Sequence, residues 1–376
     1  MTEALTGFPP AQIKRLIVKV GSALLVAKDG AVRREWLASL VAELAARREA
    51  GQQIVVVSSG SIALGARRLG LPKGGRATLE DAQAAAAVGQ ITLSQVWADL
   101  LAAHDITAAQ MLVTLGDLED RRRYLNASAT LDRLIGLGVI PVVNENDSVA
   151  TEEIRFGDND RLAARIGQAA RADAVVLLSD IDGLYTANPH ADPDAKLVPH
   201  VAKIDAAILA MASAESASGM GSGGMVSKLQ AAQIAVGAGT HLAITSGHVD
   251  APLAHWATSG RGTIFLASSK RGARKDWLAG RLTVKGQLTV DAGAENALRQ
   301  GRSLLPAGIT ATSGAYARGD VIDIAAPDGA IIARGLAQYD SQDAERIIGK
   351  RSEDVAALLG GSPRAAIVHR DHMVLL

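Results

Sequence analysis

The stretch Arg15-Leu16-Ile17-Val18-Lys19-Val20-Gly21-Ser22 reads as a short apolar strand that ends in a glycine and a hydroxyl residue. The same pattern recurs through the first two-thirds of the chain. Gln53–Val57, Ala109–Val113, Val139–Val143, Ala174–Leu178 and His241–Thr245 predict further strands. Helical patterns near Glu35–Ala50, Ser61–Leu69, Leu79–Ala103, Arg122–Leu137, Asp160–Ala170 and Ser227–Gly237 separate them. Strand and helix alternating at this spacing predict an α/β fold, a three-layer αβα sandwich around a mainly parallel sheet. In such sheets ligands sit beyond the carboxyl ends of the strands. The loops after the strands are therefore where chemistry is sought.

Composition narrows the chemistry. The 376 residues contain no cysteine, which excludes disulfides, thiolate metal sites and a cysteine nucleophile. The 39 Lys+Arg balance 39 Asp+Glu, so bulk charge attracts neither nucleic acid nor a membrane surface. Met1–Pro10 shows no basic region followed by an apolar run, and Leu229–Val249 is too polar for a membrane span. A cytoplasmic protein without membrane partners is expected.

Lys19 is costly inside an apolar strand unless its ammonium reaches an anion at the strand end or snorkels from a sheet edge. Ser58-Ser59-Gly60-Ser61 passes straight into a helix, where serine serves either as an N-cap or among donors for an anion. Asn144-Glu145-Asn146-Asp147 and Gly157-Asp158-Asn159-Asp160 lie within 17 residues of one another. The helix dipole explains an acid or two in the second cluster as caps, but not both clusters. Carboxylates and amides together suit an amino-acid ligand. Gly219, Gly221 and Gly224 form a G-x-G-x-x-G without the preceding strand of a dinucleotide site, and Lys228 does not fit a Walker A loop. A cation opposes the dipole in a first helical turn, so Lys228 makes sense where phosphate oxygens gather. The histidines assemble no persuasive metal set, and His369 and His372 have no evident partner.

Together these segments resemble the amino-acid kinase family, and within it the glutamate 5-kinases. Val18–Ser22, Val57–Ala63, Asn144–Asp147, Gly157–Asp160, Leu178-Ser179-Asp180-Ile181-Asp182-Gly183-Leu184-Tyr185 and Gly223–Lys228 carry the likeness. It implies phosphorylation of the γ-carboxylate of L-glutamate by ATP with Mg²⁺, the first step of proline synthesis. It further implies catalytic roles for Lys19, Lys228 and Asp160, the last organising the two lysines. Glutamate falls to Ser59, Asn144, Asp147 and Asn159. ATP falls to Lys19, Ser179, Asp180, Ser222, Gly223, Gly224, Met225, Val226, Ser227 and Lys228. No residue is assigned to the metal directly, since Mg²⁺ is carried by ATP. Ser22, Ser58, Ser179 and Ser222 stand where Thr is frequent in the family, and each keeps the hydroxyl. Rivals on the same fold are an aspartokinase or a nucleoside-monophosphate kinase.

The first domain is expected over residues 1–270, and Lys270–Lys275 reads as a basic linker. Beyond it the text is turn-rich, with brief strands at Gly286–Val290, Ser303–Leu305, Val321–Ala325 and Ala330–Ala333. Residues 277–376 thus form a small β-rich module that resembles a PUA domain. The alternative of an RNA-binding protein working through this tail has weak support. Eleven Lys+Arg face eleven Asp+Glu there, with Trp277, Tyr316 and Tyr339 as its aromatics. Nucleic acid is not expected as a partner. From the resemblance, L-proline is expected as a feedback inhibitor and a dimer or tetramer as the assembly. The Ala/Ser/Met-rich loop Lys203–Gly219 is a candidate regulatory segment.

Overall fold

The computed structural model describes residues 5–27, 30–149, 158–189, 192–216, 224–267, 284–359 and 366–376. Ser222, Gly223 and the proposed linker Lys270–Lys275 lie outside them, as does Trp277. The chain divides into two compact units, Met1–Lys270 and Arg271–Leu376.

In the first unit the strands are β1 (Arg15–Val20), β2 (Gln53–Ser58), β3 (Ala108–Val113), β4 (Ile140–Glu145), β5 (Ala174–Ser179), β6 (His200–Val201), β7 (His241–Ser246) and β8 (Thr263–Phe265). The helices are α1 (Ser22–Leu25), α2 (Arg34–Glu49), α3 (Ser61–Leu69), α4 (Leu79–Ala102), α5 (Leu115–Glu119), α6 (Arg121–Gly136), α7 (Asp158–Ala169), α8 (Ala206–Ser216), α9 (Met225–Gly237) and α10 (Pro252–Ser259). Among the described residues eight strands form one sheet, ordered β3-β4-β2-β1-β5-β7-β8-β6. The neighbours from β3 to β7 run parallel, and β8 runs antiparallel to β7.

The central strands are apolar nearly throughout because helices cover both faces. Val18, Val56 and Val176 lie side by side in β1, β2 and β5, each fully buried. Lys19 sits between Val57 and Leu177 in the same rows. It is therefore in the middle of the sheet, and an edge position does not explain it. Its ammonium requires an anion.

Helices α3 and α4 meet at backbone distance. A Cβ on Gly65 would stand 1.8 Å from the Ala85 carbonyl oxygen, and one on Gly89 1.8 Å from that of Ser61. Buried Ala82, Ala85 and Ala86 line the rest of the crossing. This approach brings Gln90, the residue after Gly89, to the strand ends.

In the second unit five strands follow the order β10 (Ile309–Ser313), β9 (Gly286–Val290), β11 (Val321–Ala325), β12 (Ile331–Leu336) and β13 (Met373–Leu375). The expected strand Ser303–Leu305 is only an isolated bridge, Leu304 to Val368. Pro306 lacks the N–H that a ladder requires and opens a turn instead. Strand β10, Ile-Thr-Ala-Thr-Ser, carries too little apolar text to announce itself. No helix among the described residues is long and apolar enough to cross a membrane.

Gly89→Ala should lower stability by about 1–3 kcal/mol through overpacking. The control is Gly136→Ala at the end of α6, where an added methyl meets nothing within 4 Å. It should be neutral or stabilising by up to about 1 kcal/mol. Melting temperatures check both, and an unchanged Gly89→Ala protein would contradict the backbone contact.

Candidate active site

Three segments end at one buried point. β1 supplies Lys19, the first turn of α7 supplies Asp160, and the first turn of α9 supplies Lys228. Lys19 Nζ is 2.6 Å from Asp160 Oδ1, and Lys228 Nζ is 3.2 Å from Asp160 Oδ2. Asp160 is 1% exposed and each lysine 8%. Burial alone would raise the Asp160 pKa. The charges and hydrogen bonds of Lys19 and Lys228 outweigh it and hold the carboxyl below its ordinary range. One carboxylate between two ammonium groups leaves the trio at a net charge of +1, which suits an incoming anion.

The surroundings keep that anion's place open. Lys19 Nζ lies 3.6 Å from where a Cβ on Gly21 would stand, an ordinary contact distance, so the glycine backbone borders the ammonium. Gly224 caps α9 without a side-chain hydrogen bond, and of the first-turn donors Ser227 N–H reaches the Gly224 carbonyl at 3.1 Å, while the earlier ones precede any intrahelical acceptor. Met225 is buried in that turn, whereas Val226 is exposed. Ser179, at the end of β5, donates its Oγ proton to Asp180 Oδ1 at 2.9 Å. Leu178 pairs with Val20, which sets this corner beside the end of β1.

The amide cluster lies on the other side of β1. Asn159 Nδ2 donates to Ser59 Oγ at 2.6 Å and to Asn144 Oδ1 at 3.2 Å. Asn144 Nδ2 donates to Gln90 Oε1 at 2.8 Å and to Ser61 Oγ at 3.3 Å. Ser61 Oγ in turn donates to Asp147 Oδ2 at 3.3 Å. The buried Asn159 Oδ1 accepts no hydrogen bond among the described residues, an acceptor suited to a ligand donor. Since Asn159 and Asp160 are consecutive, this cluster is joined directly to the charged trio. A cavity of about 540 Å³ opens beside it, lined by Ser61, Gln90, Ile91, Leu112, Glu145 and Asp147 among others.

Several participants went unnoticed in the sequence. Gln90 completes the amide cluster with Ser61, which the sequence offered only as a cap or anion donor, and the Asp147 charge acts on Arg76. Burial lowers the Arg76 pKa, an effect that the Asp147 charge opposes. Arg261 Nε donates to Asp182 Oδ2 at 2.9 Å and Arg261 Nη2 to Tyr185 Oη at 3.2 Å, closing the loop after β5. His369 and His372, read as unpartnered, lie with ring centroids 5.9 Å apart beside Asp371 and Gln338. For Gln90 the neighbouring Gly89 was the available signal, and for Arg76 and Arg261 there was none.

Among the described residues no three His, Asp or Glu side chains gather to hold a metal ion. Both Asp160 oxygens already face ammonium groups. These side chains alone therefore do not fit a protein-held Mg²⁺.

The profile of the amino acid kinase family matches residues 14–246, and that of the PUA domain residues 286–359. The chain belongs to the amino acid kinase family. Among curated proteins, glutamate 5-kinase of Sphingopyxis alaskensis is 66% identical over 369 residues, covering 98% of this chain and 99% of that one. Glutamate 5-kinase of Zymomonas mobilis is 59% identical over 98% of this chain and 93% of its own. Among solved structures, a UMP kinase from Bacillus anthracis is 14% identical at a TM-score of 0.46, over 68% of this chain and 97% of that one.

Asp160→Asn leaves two buried ammonium groups without their anion and should cost about 3–5 kcal/mol. The folded carboxyl titrates below its ordinary value of 3.8. Its contribution is therefore complete above that pH and lost as the pH falls through the lower folded value. Denaturant titrations should find a constant gap between wild type and variant from about pH 5 to 7, narrowing below about pH 4. A gap unchanged down to about pH 2 would contradict the pairing.

Proposed function

We propose that this chain is an ATP-dependent kinase that converts L-glutamate to L-glutamate 5-phosphate, the acyl phosphate that begins proline synthesis. The observation that carries this reading is the buried Lys19–Asp160–Lys228 trio beside a cluster of amides and one carboxylate. Membership of the family and the glutamate 5-kinase relatives support the same substrate.

The γ-carboxylate of glutamate is ionised at neutral pH, so the nucleophile needs no general base. One of its oxygens forms a bond to the γ-phosphorus of ATP. The bond from that phosphorus to the β–γ bridging oxygen breaks, and the electron pair leaves on ADP without any proton moving. The obstacle is repulsion between two anions, and catalysis consists of positioning and charge neutralisation. Lys19 and Lys228 supply the neutralising charge from fixed positions. Asp160 holds the two ammonium groups apart and aimed, and being already paired it adds little repulsion of its own. Main-chain N–H groups of Gly224, Met225 and Val226 face the phosphates, with Ser227 next to them, its own N–H bonded to the Gly224 carbonyl at 3.1 Å, and with Ser179 and Asp180 beside the nucleotide. Ser222 and Gly223 join this set from outside the described residues. Ser59, Asn144 and Asn159 hold the acceptor, and Asp147 takes its ammonium group. Mg²⁺ is proposed to arrive with ATP and would neutralise part of the phosphate charge. The domain limits 1–270 and 277–376 are proposed on the same footing. So are inhibition by L-proline and a dimeric or tetrameric assembly, both resting on the family likeness.

ADP release should depend on L-glutamate and be absent with L-aspartate, N-acetyl-L-glutamate or UMP. Equal activity on any of these would redirect the assignment. Lys228→Ala should lower kcat about 10²–10³-fold, as does loss of one preorganised donor elsewhere. The fold should survive, because Asp160 keeps Lys19. Near-normal turnover would remove Lys228 from the chemistry.

A further inference from the structure

The side-chain amides beside the charged trio all point the same way, and their partners dictate the direction. Ser94, one turn after Gln90 in α4, donates its hydroxyl proton to the Gln90 main-chain carbonyl at 2.8 Å. With that proton spent, the Ser94 oxygen is an acceptor toward the Gln90 side chain. Gln90 Nε2 donates to it at 3.3 Å, which turns Gln90 Oε1 toward Asn144. At the other end Ser61 spends its own proton on Asp147, so it too accepts from Asn144. Asn144 therefore presents its NH2 to both, at 2.8 Å to Gln90 Oε1 and 3.3 Å to Ser61 Oγ, and its oxygen to Asn159. Asn159 in turn gives both amide hydrogens away, to Asn144 and to Ser59. What it has left is Oδ1, buried and accepting no hydrogen bond among the described residues.

We propose that Gln90 is a positioning residue that sets this polarity, so that Asn159 offers a ligand an oxygen rather than an NH2. This rests on the glutamate reading above. With both carboxyls ionised, the α-ammonium is the one hydrogen-bond donor that L-glutamate carries. An oxygen at Asn159 accepts from that group. An NH2 there would set donor against donor and leave both unpaired.

Two groups anchor Asn144, and Gln90 is the nearer of them. It is also rigidly placed, since Gly89 beside it lies against the Ser61 main chain, where a Cβ would stand 1.8 Å from the carbonyl oxygen. Gln90 thus acts through Asn144 and Asn159 on the choice of an amino acid over a plain dicarboxylate.

Gln90→Met and Gln90→Glu, assayed for L-glutamate turnover and for inhibition by glutarate, test this. The first keeps the length of the side chain and removes its oxygen, and the second keeps an oxygen for Asn144. Glutarate has both carboxylates and lacks the ammonium. Gln90→Met should raise KM for glutamate about 10–100-fold with kcat changed less than about threefold. Its Ki for glutarate should stay within about threefold of wild type, as should the glutamate KM of Gln90→Glu. Equal weakening of both ligands in Gln90→Met would mean that Gln90 only supports the shape of the site. An unchanged glutamate KM would mean that Ser61 orients Asn144 without it. Equal losses in Gln90→Glu and Gln90→Met would mean that the oxygen is not what matters. Each of these overturns the proposal. If glutarate binds too weakly to measure, the KM rise without loss of kcat and its recovery in Gln90→Glu decide alone. A wild-type enzyme inert toward glutamate would instead overturn the underlying reading.

Discussion

The Asp160 carboxylate lies between the ammonium groups of Lys19 and Lys228, and the arrangement of the first unit follows from keeping it there. Each of these groups would be expensive to bury alone. Together they are tolerated only if a strand end and two helix starts converge to within hydrogen-bond distance. The parallel sheet makes that convergence possible, because every strand from β1 to β5 ends on the same side. The charge arithmetic then favours function. A trio with one anion and two cations is incomplete until a further anion approaches.

The acceptor side depends on a different constraint. Gly65 and Gly89 let two helices touch through their backbones, and Gln90, Ser61 and the turn before Arg76 all take their positions from that contact. The buried charges are thus placed by strand and helix ends, while the amide cluster is placed by a helix crossing. Asn159 and Asp160, neighbours in sequence, join the two halves, so the amide cluster and the charged trio share one helical turn.

Much of this was legible in the sequence. A lysine within an apolar strand, and acids and amides clustered after strands, mark strand-end chemistry before any coordinates. The edge alternative for Lys19 needed the strand order to exclude it, since nothing local tells a central strand from an outer one. Gln90 was hidden because a single glutamine in an Ala-rich helix looks like its solvent face, and only the crossing turns it inward. Arg76 was hidden because it follows a Pro-Lys-Gly-Gly turn that reads as loop. In the second unit, β10 escaped because Thr and Ser leave it little apolar pattern, and β13 because Met-Val-Leu, though apolar, is only three residues long at the end of the chain.

The reaction moves phosphate to a carboxylate of glutamate rather than to water or a hydroxyl. Hydroxylamine added during turnover with ATP and L-glutamate traps an acyl phosphate as its hydroxamate. γ-Glutamyl hydroxamate should form in step with ADP. ADP released without hydroxamate, or hydroxamate at the α-carboxylate, would contradict it.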